Sequence, residues 1–280
     1  MSKLLTLLLS IINLFFKKIT IEKVYKKLYI EKHNIYVRIK GSLYSFIYRS
    51  VDYDDLNMMC RENLKYWESS SREIFSKLSL TSSCAVDIGS YTGIYTLLAA
   101  KTNKQIATIS FEPNPELFAA LAKNIKLNRV KNSKLEQIAL DKEIGAATLY
   151  LNHDHYTSIG SLIKSSSEGK QISVHRVTLD KYCEDHQVKA IDLMKIDVEG
   201  NEINILEGAQ LTISKYTPII LMEALSTSAL ESQYMFLNKF NYLRPIRVKG
   251  DGYDQNNWLW FTAVDSMRID SVRHLLNTEE

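Results

Sequence analysis

The chain has 280 residues, 45% hydrophobic and 24% charged, enough for one large domain or two small ones around a substantial core. With only 10 Gly and 4 Pro, collagen-like and Pro/Gly-rich disordered chains are excluded. Its 35 basic and 32 acidic residues leave a net charge of +3, which neither demands nor forbids a nucleic-acid partner. Cys60, Cys84 and Cys183 cannot all pair within one chain and form no C-x-x-C, which argues against a disulfide scaffold or a cysteine-rich zinc site. Cys84 opens an apolar run and reads as a small buried hydrophobe.

Residues 4–16 are almost wholly apolar, between Lys3 and Lys17-Lys18. As a helix they rise only about 20 Å, short of a ~30 Å hydrocarbon core. Thr6, Ser10, Asn13 and Lys17 fall on one narrow helical stripe, so the helix is buried on most of its surface. Three readings stand together: packing against protein (a homodimer included), peripheral membrane attachment, and a signal sequence without a small-x-small cleavage site. Residues 21–50 alternate around Ile35, Val37 and Ile39 and turn at Gly41-Ser42, which predicts a short β-hairpin. Residues 54–78 read as one or two helices, broken at Ser69-Ser70-Ser71.

From residue 83 short apolar runs alternate with amphipathic stretches. Strands are expected at 84–88, 105–111, 135–140, 174–177, 191–196 and 219–223, and helices at 91–100, 115–127, from 179, at 202–213 and at 230–240. A hairpin is expected at 147–151 and a polar loop over 152–171. The strands at 242–248 and 258–264 lack an intervening helix and should pair antiparallel. This is an α/β pattern: a mostly parallel sheet, helices on both faces, and a C-terminal antiparallel hairpin.

Open α/β sheets bind ligands at the carboxyl ends of their strands. The first such end is Val86-Asp87-Ile88-Gly89-Ser90-Tyr91-Thr92-Gly93, where Gly89 permits a tight turn and Gly93 a close helix–strand approach. A dinucleotide fold needs glycine at 91, where Tyr91 stands, and no G-K-[ST] follows. The loop therefore suits a nucleoside cofactor without phosphates better than NAD or ATP, and a nicotinamide oxidoreductase is set aside. The second end is Phe111-Glu112-Pro113-Asn114-Pro115; Glu112 sits where an acid accepts hydrogen bonds from ribose hydroxyls, and Asn114 with Pro115 also reads as a helix start. The third is Leu193-Met194-Lys195-Ile196-Asp197-Val198-Glu199-Gly200, which alone reads equally well as an acid-rich helix cap.

The turn from Asp87 to Gly93 is similar to the glycine-rich loop of class I S-adenosylmethionine-dependent methyltransferases. Taken with Phe111-Glu112-Pro113-Asn114-Pro115, Ala139-Leu140-Asp141, Thr178-Leu179-Asp180, Lys195-Ile196-Asp197-Val198-Glu199-Gly200, Gly208-Ala209 and the strand ending at Glu223, it resembles the FkbM methyltransferase family over roughly residues 80–225. The family loop reads close to D-x-G-A-N-x-G, and Ser90-Tyr91-Thr92 replaces its centre here. The resemblance implies a Rossmann-like methyltransferase domain at 81–280 behind an N-terminal extension at 1–80. It implies S-adenosylmethionine held by Asp87, Gly89, Ser90, Tyr91, Gly93, Glu112, Asn114, Ala139 and Asp197.

O-methylation of a hydroxyl on a sugar, glycolipid or natural product also needs a base. Asp197 is the first candidate, with Glu199, Glu223 and His155 beside it. His155 belongs to His153-Asp154-His155, which more simply reads as a solvated loop; His175 lies in an alternating strand. A divalent metal on Asp197 is a variant but not the expectation. Tyr156, Tyr253, Trp258 and Trp260 are candidates for stacking on a sugar. The expected partner is a small-molecule or glycan acceptor and no nucleic acid, in the cytoplasm, with membrane association through residues 4–16 as an addition. The competing reading is a non-catalytic or membrane-peripheral binding protein that keeps the fold.

Overall fold

A computed structural model of the chain describes residues 36–49, 68–151, 160–163, 170–250, 254 and 256–277. The expected helix at 4–16 lies outside the described residues, as do 54–67, Cys60, His153, Asp154, His155, Tyr156 and Tyr253. Among the described residues no helix is long and apolar enough to cross a membrane.

The chain opens with an antiparallel hairpin of β1 (Tyr36–Lys40) and β2 (Ser45–Arg49), inside the stretch where alternation predicts one. Helix α1 (Ser69–Ser79) follows. Ser69-Ser70-Ser71 starts this helix, and a distant carboxylate satisfies its first N–H groups; the residues directly before 68 lie outside the described residues. Asp254 accepts from the Ser70 N–H at 3.2 Å, and from the Ser71 N–H and hydroxyl at 3.1 and 2.6 Å. Next come β3 (Cys84–Ile88), α2 (Ile94–Thr102), β4 (Ala107–Phe111), α3 (Pro115–Leu127) and β5 (Ser133–Glu136). After them stand β6 (Ala139–Leu140), β7 (Gly145–Leu151), β8 (Gly160–Ser161), β9 (Lys170–Val177) and α4 (Leu179–Asp185). The last part holds β10 (Leu193–Ile196), α5 (Glu202–Glu207), α6 (Gln210–Tyr216), β11 (Ile219–Glu223) and α7 (Thr227–Leu237). It closes with β12 (Ile246–Arg247), β13 (Asn257–Trp260) and α8 (Ser266–Asp270).

Seven strands form the main sheet in the order β12-β13-β11-β10-β3-β4-β5. The five strands from β11 to the β5 edge run parallel, and β13 and β12 add antiparallel as the absence of a helix between them predicts. The order reverses between β3 and β10, which is the switch point where such sheets open a crevice.

Side chains alternate across a strand, so each strand feeds two cores. Ala85, Leu193, Leu221 and Leu259 pack on one face with Ile74 and Leu78 of α1, Leu97 and Leu98 of α2, Leu121 of α3 and Ile269 of α8. Val86, Ile88, Met194, Ile196, Met222 and Trp260 pack on the other with Tyr182 of α4, Leu206 of α5, Ile213 of α6 and Leu237 of α7. Cys84 and Cys183 lie buried and free.

Three differences from the sequence reading have local causes. The strand expected at 135–140 divides between β5 in the main sheet and β6 in a second sheet of order β6-β9-β7-β8. That second sheet takes in the C-terminal end of the expected loop at 152–171, because β9 starts at Lys170 and pairs with β7 from Gly145 to Leu151. The helix expected at 202–213 breaks at Gly208, where a Cβ would lie 2.3 Å from the Asp141 carbonyl oxygen, so the backbones touch.

Candidate functional site

The turn after β3 is built around two positions closed to side chains. Gly89 has φ +76, and a Cβ there would fall 1.8 Å from the Asp197 carbonyl oxygen. The ends of β3 and β10 thus meet backbone to backbone, with Asp197 N–H donating to the Ile88 carbonyl at 3.0 Å. Gly93 has φ +93, and a Cβ would fall 2.4 Å from Leu121 Cδ1 of α3. That left-handed residue delays α2 to Ile94 instead of 91.

Between these glycines the backbone donors turn inward. Gly89 and Ser90 N–H both donate to the Phe111 carbonyl at 3.0 Å, and Gly93 N–H donates to the Ser90 carbonyl at 2.7 Å. Tyr91, itself left-handed at φ 52, donates its N–H to Glu112 Oε2 at 2.9 Å. The Ser90 hydroxyl donates to the Asp87 carbonyl at 2.8 Å. Thr92, fully buried, is held by a hydrogen bond between its hydroxyl and that of Tyr48 of β2, and its carbonyl accepts from Asn124 at 3.0 Å. Asp87 accepts from the N–H and hydroxyl of Thr96 at 2.9 and 2.6 Å, pinning α2 to β3; burial pushes its carboxyl up to about 6.

Glu112 ends β4 beside this turn. Its Oε1 accepts from Asn114 N–H at 2.9 Å and its Oε2 from Tyr91, while burial pushes its carboxyl up to about 8 against both bonds. Each oxygen keeps further acceptor capacity. Asn114 caps α3, its Oδ1 accepting from Glu116 N–H at 2.9 Å. Ala139 is buried in β6 against Leu149, Leu151 and Val174.

The acids after β10 gather at the same edge. Glu199 and Gly200 are both left-handed, φ 56 and 101, and bend the chain sharply behind Asp197. Glu202 holds this bend, its Oε1 accepting from Gly200 N–H at 3.1 Å, and Ser161 of β8 donates its hydroxyl to the Glu199 carbonyl at 3.0 Å. Burial first and the Asp197 charge second push Glu199 up to about 7 and Glu223, at the end of β11, up to about 8.

Lys195 is the one cation at the centre of these acids among the described residues. Alternation puts it on the α1/α2 face of β10, in register with Asp87 of β3, and it is 1% exposed. Its Nζ lies 3.2 Å from Asp197 Oδ2 and 3.1 Å from Asn257 Oδ1, and 5.2 Å from the ring centre of Tyr95. Burial works against its charge, but Asp197, Glu68 and Glu223 outweigh it and hold its pKa above the ordinary lysine value. Asn257 donates from Nδ2 to Glu68 Oε1 at 3.2 Å, and Tyr95 donates its hydroxyl to Glu68 Oε2 at 2.6 Å.

Of the expected residues, Asp87, Gly89, Ser90, Tyr91, Gly93, Glu112 and Asn114 form one continuous group, joined to Asp197 through Gly89. Glu199 and Glu223 act electrostatically on the same group of charges, and Ala139 sits in the second sheet. Trp260 is wholly buried in the core and offers no ring to a ligand, while Trp258 is half-buried with the Arg247 guanidinium 5.9 Å over its ring. Lys195, Glu68, Tyr95 and Asn257 are residues the strand-end reading missed. Lys195 has a signal, a lone cation inside an apolar strand; the others have none. Asp180, of the Thr178-Leu179-Asp180 element, accepts from Leu211 and Thr212 N–H at 2.9 and 2.7 Å and so caps α6.

This donor set suits a phosphate-free nucleoside carrying positive charge. The loop amides that would cradle a phosphate serve protein acceptors instead. Glu112 offers oxygens to a diol. After burial, the Asp197 charge raises the pKa of both Glu199 and Glu223, so this group of acids favours a cation beside it. Among the described residues no group of three or more His, Cys, Asp or Glu stands where it could hold a metal ion.

The profile of the methyltransferase FkbM domain matches residues 87–248, more than half of the chain. Methyltransferase 1 of Beauveria bassiana (strain ARSEF 2860) is 29% identical over 143 residues, covering 44% of this chain and 57% of its own. The chain thus spans little more than half the length of that curated relative. Among solved structures, methyltransferase FkbM from Methylobacillus flagellatus KT superposes with a TM-score of 0.46 at 17% identity, over 64% of this chain and 43% of that one. M. jannaschii TYW2 in complex with AdoMet gives 0.42 at 14% identity, over 81% and 84%. An rRNA methylase from Streptococcus thermophilus gives 0.43 at 12% identity, over 70% and 95%.

Proposed function

We propose, from the premise that this chain belongs to the methyltransferase FkbM family, that it transfers a methyl group from S-adenosylmethionine to a hydroxyl of a small molecule or glycan. The observation that carries this reading is the contact between the Gly89 turn and Asp197, which puts an inward-bonded, phosphate-averse loop beside a cluster of carboxylates.

When bound, S-adenosylmethionine supplies a methyl group already activated on a sulfonium. The protein's task is then to bind, orient and take a proton. Glu112 would hold the ribose by accepting hydrogen bonds from it, beside the turn from Gly89 to Gly93. Asp197, ion-paired to Lys195, is a fixed anion that favours positive charge at the end of β10. Glu199 and Glu223 are held near neutral pH, where a general base is most effective, and a cation beside them lowers their pKa and readies them to take the acceptor's proton. Ser161 fastens the second sheet to the Glu199 turn, which supports a role for that sheet beside the acceptor.

Calorimetry with S-adenosylmethionine tests the cofactor. The wild-type chain should bind it, and Glu112→Ala should weaken binding by roughly tenfold or more, the value of a lost pair of hydrogen bonds. No heat from the wild type, or indistinguishable binding by Glu112→Ala, sinks the assignment. Methyl-labelled cofactor incubated with glycan, lipid and RNA pools tests the acceptor: label in glycan or lipid supports the hydroxyl reading, and label in RNA overturns it.

A further inference from the structure

Resting on the reading just given, we propose that Glu68, which precedes the matched span, is a positioning residue that holds the Lys195 ammonium beside Asp197 and balances its charge next to the methyl donor. Lys195 is 1% exposed, so water cannot share its charge and protein groups must. Its neutral partner is Asn257, whose amide has two ends. Glu68 Oε1 takes the Nδ2 end at 3.2 Å, and this turns Oδ1 toward Lys195 Nζ at 3.1 Å. The Tyr95 hydroxyl donates to the second Glu68 oxygen at 2.6 Å while its ring faces Lys195. Both oxygens of Glu68 therefore accept; burial raises its carboxyl pKa, and the Lys195 charge and these two hydrogen bonds work in the other direction, toward the ionised form.

A purely structural role would make Glu68 the cap of α1, since it stands at the N-cap position. Its side chain makes no capping bond, its backbone is left-handed at φ 42, and Asp254 does the capping instead. The carboxylate of Glu68, 6% exposed, is turned to Tyr95 and Asn257. The Lys195 ammonium thus stands between two carboxylates: Asp197 in contact at 3.2 Å, and Glu68 one amide away. Removing Glu68 leaves that ammonium less balanced and repels a sulfonium, while the neutral thioether product feels little.

Calorimetry with S-adenosylmethionine and S-adenosylhomocysteine reads this difference. Glu68→Gln should weaken the sulfonium by about tenfold and the thioether by less than about twofold, the scale of one buried charge at moderate distance. Adding Lys195→Met should return the ratio of the two affinities to within about threefold of wild type, because the unbalanced charge is gone. Equal losses for both ligands, an unchanged ratio, or a ratio that Lys195→Met leaves displaced overturns the proposal. Tyr95→Phe, which keeps the carboxylate but removes one donor, should move the ratio the same way by about threefold and decides the matter if Glu68→Gln does not fold. A wild-type chain that binds neither ligand defeats the methyl-donor reading itself, and is told apart by needing no variant.

Discussion

The two faces of the main sheet are made by the same strands and follow opposite rules near the carboxyl edge. On the α4–α7 face Met194, Ile196, Met222 and the half-buried Trp258 keep the core apolar to the sheet's carboxyl edge along β10, β11 and β13. On the α1/α2 face the same strands, one residue out of phase, carry Asp87, Lys195 and Asn257 beyond Ala85, Leu193 and Leu259. One face stabilises by apolar burial, at about 1.5–3 kcal/mol for each large side chain. The other gives up that gain for a buried network of charges that must be satisfied in full to be tolerated. Polarity confined to one face of one sheet edge is a functional mark, because packing alone would have filled both alike.

The largest test of this contrast is Lys195→Ala, which leaves Asp197 and Glu68 without their cation and should cost about 3–5 kcal/mol in urea unfolding while shifting the preference for S-adenosylmethionine over S-adenosylhomocysteine by roughly tenfold toward the sulfonium. Ile220→Ala on the apolar face should cost a comparable 2–5 kcal/mol yet leave cofactor affinity within about twofold. Equal effects on binding would erase the distinction between the faces.

A second test uses pH. Asp87 is raised to about 6, Glu199 to about 7, and Glu112 and Glu223 to about 8. All bind protons more tightly folded than unfolded, so their stabilising contribution is complete below the ordinary carboxyl range and is lost as pH rises toward 8. The ligand-free protein should lose stability across that window, and Glu223→Gln should flatten the slope in urea titrations at fixed ionic strength. The smallest effect is expected for Asn114→Ala, about 1 kcal/mol for a lost helix cap. Its cofactor affinity shows whether Asn114 also serves the ligand.

Much of the main sheet was legible because buried parallel strands are short apolar runs between helices, and 84–88, 115–127 and 219–223 stand where that pattern puts them. The second sheet was hidden because β9 opens with Lys170-Gln171, which reads as loop until its pairing with Tyr150 and Leu151 is seen. At the site, acids at strand ends were readable one by one. What they are attached to was not: Glu68 and Asn257 are 189 residues apart, and no local pattern announces an amide held between a carboxylate and an ammonium. Tyr48 and Thr92 are joined over 44 residues in the same way, tying β2 to the altered centre of the loop.

The tight seam at Gly89 also limits how this loop can change over time. A single methyl group at 89 would drive β3 and β10 apart, and one at 93 would strike Leu121, so both positions are closed to substitution. Between them stand Ser90, Tyr91 and Thr92, whose side chains meet no such backbone seam, and the Tyr48 hydroxyl ties Thr92 to β2. Substitutions at 90–92 should therefore leave the β3–β10 seam intact where one at 89 would open it, which unfolding of the two classes of variant checks.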